Sequence, residues 1–241
     1  MNTIKGGFSI PKPYKLKDDA TKIPIGCGID NMLEGGVETK IITQIYGPAG
    51  SGKTNICLQS ALSCIKSGKK VLFIDTEGGH SLDRVKQIAG DRFKDFLENS
   101  YFFEPTSFKD QTACVDSLNK VINGEFGLIV LDSAVSLYRI GTDEEKTSRM
   151  NRELSHQLAK LSEVARRYNL TVLITNQVYP SFENDGVEPI GGSILQYWSK
   201  AIIELKKVGN KREAILKRHR SLPENINTMF IITNEGLKDA K

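Results

Sequence analysis

Residues Gly47-Pro48-Ala49-Gly50-Ser51-Gly52-Lys53-Thr54 match the spacing G-x-x-x-x-G-K-S/T, and no other stretch restricts the fold so tightly. The pattern is informative only between a strand and a helix, a context that a chance glycine-rich turn lacks. Both are predicted here: Ile41 to Tyr46 reads as a buried strand and Asn55 to Leu62 as a helix. Glycines let the backbone wrap a phosphate, and successive N–H groups at a helix start point at it. Lys53 is placed to reach the β- and γ-phosphates of ATP, and the Thr54 hydroxyl to ligate Mg²⁺.

Composition bounds the rest. The chain has 241 residues, enough for one large α/β domain or two small ones, and its 39% hydrophobic and 26% charged residues are an ordinary globular balance. A net charge of +4 permits nucleic-acid contact without arguing for it. No apolar run approaches the ~18 residues of a membrane span, and Met1-Asn2-Thr3-Ile4-Lys5 leads into no apolar signal core, so a cytoplasmic protein is expected. Cys27, Cys57, Cys64 and Cys114 form no C-x-x-C and read as thiols in a reducing compartment; the three histidines show no metal spacing.

In chain order, residues 1–24, with Pro11, Pro13 and Pro24, form an extended lead-in of unassigned role. Ile29, Met32 and Leu33 give a short apolar helix face that Gly35-Gly36 stops. After the first strand and helix, Val71 to Asp75 is a second buried strand, followed by Thr76-Glu77-Gly78-Gly79. Ligands of open parallel sheets sit at the carboxyl ends of strands. Glu77 therefore reads either as a base that deprotonates an attacking water or, with Asp75, as a cap for the helix beginning near Ser81. That helix is predicted from Leu82, Val85, Ile88 and Ala89, with Arg84 on its polar side; Tyr101-Phe102-Phe103 is a third strand, and 108–122 an amphipathic helix. Gly127 to Ser133 is an apolar strand ending in Asp132, the arrangement that holds Mg²⁺ through its water shell in phosphate-loop enzymes. A charged loop over 139–149 precedes a helix to Tyr168, and Thr171 to Thr175 is a fifth strand. Gln177 follows it, either as a γ-phosphate sensor or as a plain polar strand terminus. Residues 178–192 form a loop with Glu183, Asp185 and Glu188 and no Lys or Arg, and a short helix begins at Gly192-Ser193. Ala201 to Lys206 and Ala214 to Arg218 pair across Gly209-Asn210, and Met229 to Ile232 is a last strand. The one dense basic run is Lys206, Lys207, Lys211, Arg212, Lys217, Arg218 and Arg220. It suits nucleic-acid phosphate, or equally a solvated hairpin edge protected by charge.

Read together, Gly28 to Gly36, Gly47 to Thr54, Phe73 to Gly78, Leu128 to Ser133, Ile174 to Val178 and Pro189 to Gly192 resemble, in order, the core of the RecA-like recombinases. Their wording is closest to archaeal RadA and its eukaryotic relatives. The resemblance covers about residues 25–235 and implies one RecA-like ATPase core over 25–241. It implies a phosphate-loop α/β fold: a mostly parallel twisted sheet, helices on both faces and a C-terminal antiparallel hairpin. By position, Lys53 and Thr54 bind phosphate and Mg²⁺, Asp132 completes the metal site, Glu77 is the catalytic base, Gln177 the sensor, and Arg84 packs on adenine. The resemblance also implies single-stranded DNA and a RadA-type recombinase as partners. Two departures stand out: only about 25 residues precede the core, where strand-exchange members carry a helical DNA-binding domain, and Phe8-Ser9-Ile10-Pro11 does not match the polymerisation motif Phe-x-x-Ala. They fit the short archaeal paralogues of RadA, which are accessory factors with weak ATPase. A monomer or small oligomer is expected, with DNA held by the basic run and by Arg139 and Arg149. The rival is a nucleotide-gated module that docks a recombinase and binds no DNA, which the acidic 178–192 segment favours; a signalling-type RecA-like ATPase is a third.

Overall fold

Val71-Leu72-Phe73-Ile74, Leu128-Ile129-Val130-Leu131 and Val172-Leu173-Ile174 carry apolar side chains at odd and even positions alike, as strands covered on both faces must. The structure, a computed structural model, describes residues 21–79, 81–138, 144–180 and 187–240. Its elements are, in order, β1 (Lys22–Ile23), α1 (Ile29–Met32), β2 (Val37–Glu38), β3 (Ile42–Tyr46), α2 (Lys53–Lys66), β4 (Lys70–Asp75), α3 (Leu82–Ala89), α4 (Phe93–Asn99), β5 (Ser100–Phe103) and α5 (Phe108–Val121). Then come β6 (Phe126–Asp132), α6 (Glu144–Tyr168), β7 (Thr171–Asn176), β8 (Val178–Pro180), β9 (Val187–Pro189), α7 (Gly192–Trp198), β10 (Ser199–Val208), β11 (Lys211–His219), β12 (Asn227–Thr233) and β13 (Gly236–Asp239).

One nine-stranded sheet runs β13-β12-β11-β10-β3-β7-β6-β4-β5. From β10 to β5 neighbours are parallel; β11, β12 and β13 extend the sheet antiparallel. The expected α/β fold is therefore present, and the expected C-terminal hairpin is the start of a longer meander. Side-chain alternation sorts the core: Val71 and Phe73 pack with α2, α3 and α4, while Leu72 and Ile74 pack with α5 and α6. Register aligns the carboxyl ends, with Tyr46 opposite Asn176 and Glu204, and Asp75 opposite Asp132. Every residue that ends or follows one of these strands thus faces a common rim.

Several expectations change. Helix α6 begins at Glu144, so Arg149 lies on a helix rather than in a loop; acidic residues at 144 and 145 favour a helix start through the macrodipole. Arg139 and most of residues 1–24 lie outside the described residues. The end of the expected lead-in is packed, since β1 pairs with β2 and Ile23 is buried. The arms of the expected 178–192 loop pair as β8 and β9; Glu183 and Asp185 lie outside the described residues. Leu82, expected on the inward face of α3, is 64% exposed, whereas Val85, Ile88 and Ala89 are buried. Helix α4 and strand β13 were not predicted: α4 is only two turns long, with Phe93, Phe96 and Leu97 as its apolar positions, and β13 carries one apolar side chain, Leu237. Cys27, Cys57, Cys64 and Cys114 are free thiols, the first three buried.

Candidate functional site

The phosphate loop leaves the carboxyl end of β3 and ends at the first turn of α2. Gly52 is the residue before that helix, with φ +105°, and a β-carbon there would lie 3.3 Å from the Phe230 ring. Both the backbone and the space require glycine. Lys53 Nζ donates to the carbonyls of Gly47 at 2.8 Å and Pro48 at 3.1 Å. Burial pulls its ammonium below the ordinary lysine range, against the pull of Asp132 and Glu77. Among the described residues the buried Ser51 hydroxyl has no hydrogen-bond partner. Ala49 and Gly50 form the exposed arc of the loop, with Pro48 half-buried beside them.

Three strand ends complete the rim. Thr54 Oγ1 donates to Asp132 Oδ2 at 2.8 Å, and Thr175 Oγ1 donates to the other carboxylate oxygen. Asp75 Oδ1 accepts from the N–H groups of Glu77 at 3.0 Å and Gly78 at 2.9 Å, which fixes the turn carrying Glu77. The exposed Glu77 carboxylate then accepts from Gln177 Nε2 at 2.7 Å. Capping of α3 falls instead to Ser81, whose hydroxyl accepts from the Arg84 N–H at 3.4 Å. The donor set suits Mg²⁺–ATP: a glycine cradle and an ammonium for phosphate, with a hydroxyl and a carboxylate in contact as hard oxygen ligands for the metal.

Arg84 is tied to the same corner. Its Nε donates to Asn55 Oδ1 at 2.7 Å and its Nη1 to the Asn234 carbonyl at 3.0 Å, while Nη2 is buried without a partner. Burial lowers its pKa.

The basic run does not form one surface. β10 and β11 are antiparallel, with Lys207 opposite Arg212 and Ala201 opposite His219. Lys206, Lys207, Lys211 and Arg212 therefore sit at the phosphate-loop rim, whereas Arg218 and Arg220 sit at the opposite end of the sheet. Lys206 and Lys217 both approach the buried Glu204, at 3.9 and 3.8 Å. Arg218 Nη1 donates to the Gln196 carbonyl at 2.9 Å, and Arg220 pairs with the buried Glu38 at 2.7 Å. On α6, Arg149 Nε lies 3.2 Å from Glu153 Oε1. Arg212 Nε donates to the Gly50 carbonyl at 3.0 Å, a link to the loop that the sequence reading missed. It missed Thr175 as well, although a hydroxyl at the end of an apolar strand beside one ending in Asp132 was a usable signal.

With the geometry in place, comparison with known proteins is informative. The family model for Rad51 matches residues 18–240. A protein of Methanobrevibacter smithii named "DNA repair and recombination protein RadB" is 48% identical over 228 residues, covering 91% of this chain and 97% of that one. Its namesake in Methanococcoides burtonii is 46% identical over 212 residues, covering 87% and 94%. A solved structure, titled "Crystal structure of the RadB recombinase", superposes with a TM-score of 0.80 at 35% identity, covering 91% of this chain and 100% of that one. The chain belongs to the Rad51 family and, within it, to the RadB group.

Proposed function

We propose that the chain is an ATP-binding accessory factor of DNA repair and homologous recombination, with weak, DNA-dependent ATPase activity. One observation carries the reading: Lys53, the Thr54–Asp132 pair and the Glu77–Gln177 pair come from four different strand ends and converge on one rim. Lys53 and the loop amides hold the phosphates, and Thr54 and Asp132 hold Mg²⁺, the carboxylate through water. Bound there, Mg²⁺ neutralises charge on the phosphate oxygens. Glu77 is exposed and, among the described residues, its carboxylate accepts a hydrogen bond from Gln177, which leaves its other oxygen available to take a proton from water. Gln177 leads directly into β8, so its bond to Glu77 links the base to the segment between β8 and β9. Arg84 holds the base end of the nucleotide.

DNA contact through the basic hairpin and Arg149, a RadA-type recombinase as protein partner, and a monomer or small oligomer complete the proposal. The test is ATP turnover with and without single-stranded DNA. Lys53→Ala should abolish nucleotide binding. Glu77→Gln should bind nucleotide normally and lose turnover by about 10²- to 10⁴-fold. Stimulation by DNA that vanishes in both variants supports the reading. ATP binding with no DNA response would favour the nucleotide-gated docking module instead.

A further inference from the structure

The β10–β11 hairpin carries its tip to the phosphate loop of its own chain. β10 is parallel to β3, with Glu204 opposite Tyr46, so residues beyond Glu204 rise along the same rim as the loop beyond Tyr46. Alternation places Ile203, Leu205 and Lys207 on one face, and cross-strand register places Arg212 beside Lys207. Ile203 and Leu205 belong to the core on the α2 side. Lys207 and Arg212 therefore project to the side on which α2 and its loop lie.

The contacts agree with this placement. Arg212 Nε donates to the Gly50 carbonyl at 3.0 Å, and its Nη1 to the Lys211 carbonyl at 2.9 Å. A β-carbon on Gly50 would lie 3.8 Å from Lys207 Nζ. Lys206, on the other face, is within reach of Glu204; among the described residues no carboxylate pairs with Lys207. An ammonium without a carboxylate partner thus stands at the tip of a loop built for anions.

We propose that Lys207 contacts the terminal phosphates of a nucleotide held by the same chain's loop, and that Arg212 positions the loop tip through Gly50. The proposal rests on the loop being a nucleotide site, as argued above. It gives a lone chain a cation of the kind that neighbouring subunits supply elsewhere as arginine fingers. The γ-phosphate lies one phosphate further out of the loop than the terminal β-phosphate of a diphosphate, and is the group this hairpin tip would meet, so the contact should discriminate tri- from diphosphate.

The test is calorimetric titration of the full chain, with Mg²⁺, by ADP and by the non-hydrolysable β,γ-imido analogue of ATP. Lys207→Ala should weaken the analogue about tenfold, the scale of one charge-assisted hydrogen bond, and ADP by less than about twofold. Lys207→Arg should restore most of the loss. Arg212→Ala should weaken both ligands alike. Lys94→Ala, the same charge change at an 85%-exposed side chain on α4, should alter neither. Unchanged affinity in Lys207→Ala, or equal weakening of both ligands, would overturn the assignment while leaving the nucleotide site standing. If the wild-type chain binds neither ligand, or Lys53→Ala binds as well as wild type, the nucleotide site falls and this proposal with it.

Discussion

Arg220→Ala separates two roles that a basic sequence cannot. As a phosphate-binding residue, Arg220 would be dispensable for stability; as the partner of Glu38, it would not. The Glu38 side chain is 8% exposed and that of Arg220 46%, with 2.7 Å between their charged atoms. His219, 2% exposed, lies 3.8 Å from the other Glu38 oxygen. Removing one partner of a buried pair costs about 3–5 kcal/mol, because the remaining charge is stranded. Pairs in open water are worth about 0.2–1 kcal/mol. One partner here is buried and the other nearly half in solvent, so screening discounts the first figure. A loss of about 1.5 kcal/mol follows, or about 3–6 °C in melting temperature for a chain of this size. Glu38→Gln should cost less, since the released guanidinium turns to water. In the double variant the pair term appears as a coupling of about 1 kcal/mol. Urea unfolding of the four proteins, followed by the single tryptophan, Trp198, measures it. Losses that add to within about 0.3 kcal/mol would refute the pairing and return Arg220 to the phosphate-binding set.

Three further outcomes follow from the same contacts. His219 Nδ1 accepts from the N–H groups of Ser221 and Leu222, and burial chiefly, with Lys22 and Arg220, holds its pKa below the ordinary value against Glu38 and Glu34. The unfolded chain then takes up this proton first, so its contribution to stability is full above about pH 6.5 and is lost as pH falls from there. Thermal unfolding from pH 8 to 5 should show that slope, and His219→Asn, which keeps an acceptor without titrating, should flatten it. Thr175→Val removes the hydroxyl that donates to Asp132, which is 5% exposed; a loss of about 1.5–3 kcal/mol in urea unfolding is expected, with weaker Mg²⁺-dependent nucleotide binding by calorimetry. Gly52→Ala forces a side chain into φ +105° and against Phe230; it should cost about 1–3 kcal/mol and abolish nucleotide binding in the same titration.

The parallel half of the sheet was legible because its signals are redundant. Val71 to Ile74 and Leu128 to Leu131 are apolar at every position, each ends in a carboxylate, and the loop between β3 and α2 admits few architectures. The convergence of the candidate residues Lys53, Thr54, Glu77, Asp132 and Gln177 was legible for the same reason: each ends, or follows within one loop, a strand that had already been placed. What failed were elements whose stability comes from neighbours rather than from their own pattern. β13 has Leu237 as its only buried large side chain and is held by pairing with β12 and by Gln59, whose side chain accepts from the Leu237 N–H. Helix α4 is seven residues long, with Phe96 fully buried near the Phe73 ring at 6.2 Å and Phe93 partly buried, a span too short for its spacing to stand out. No periodicity can announce a strand such as β13 with one anchored residue.

The basic run shows a different failure, in which composition was right and geometry reversed its meaning. Seven cations within fifteen residues look like one surface, but β11 starts at the turn beside Lys206 and Lys207 and carries Arg218 and Arg220 to the opposite end of the sheet. Nine residues of β11 at ~3.3 Å each separate its ends by about 30 Å, nearly four Debye lengths of about 8 Å at physiological salt. The two groups therefore share no local field, and each answers to its own surroundings. Near the turn the surroundings are the phosphate loop, where Arg212 meets Gly50. At the far end they are Glu38 and the Gln196 carbonyl, which already engage Arg220 and Arg218. A nucleic acid that used all seven would have to span the sheet; one that used only the turn would meet the proposed nucleotide site directly. Under the second arrangement, ATP and DNA would act on the same cations, and charge-reversing Lys211 or Arg212 should alter the salt dependence of DNA binding far more than reversing Arg218.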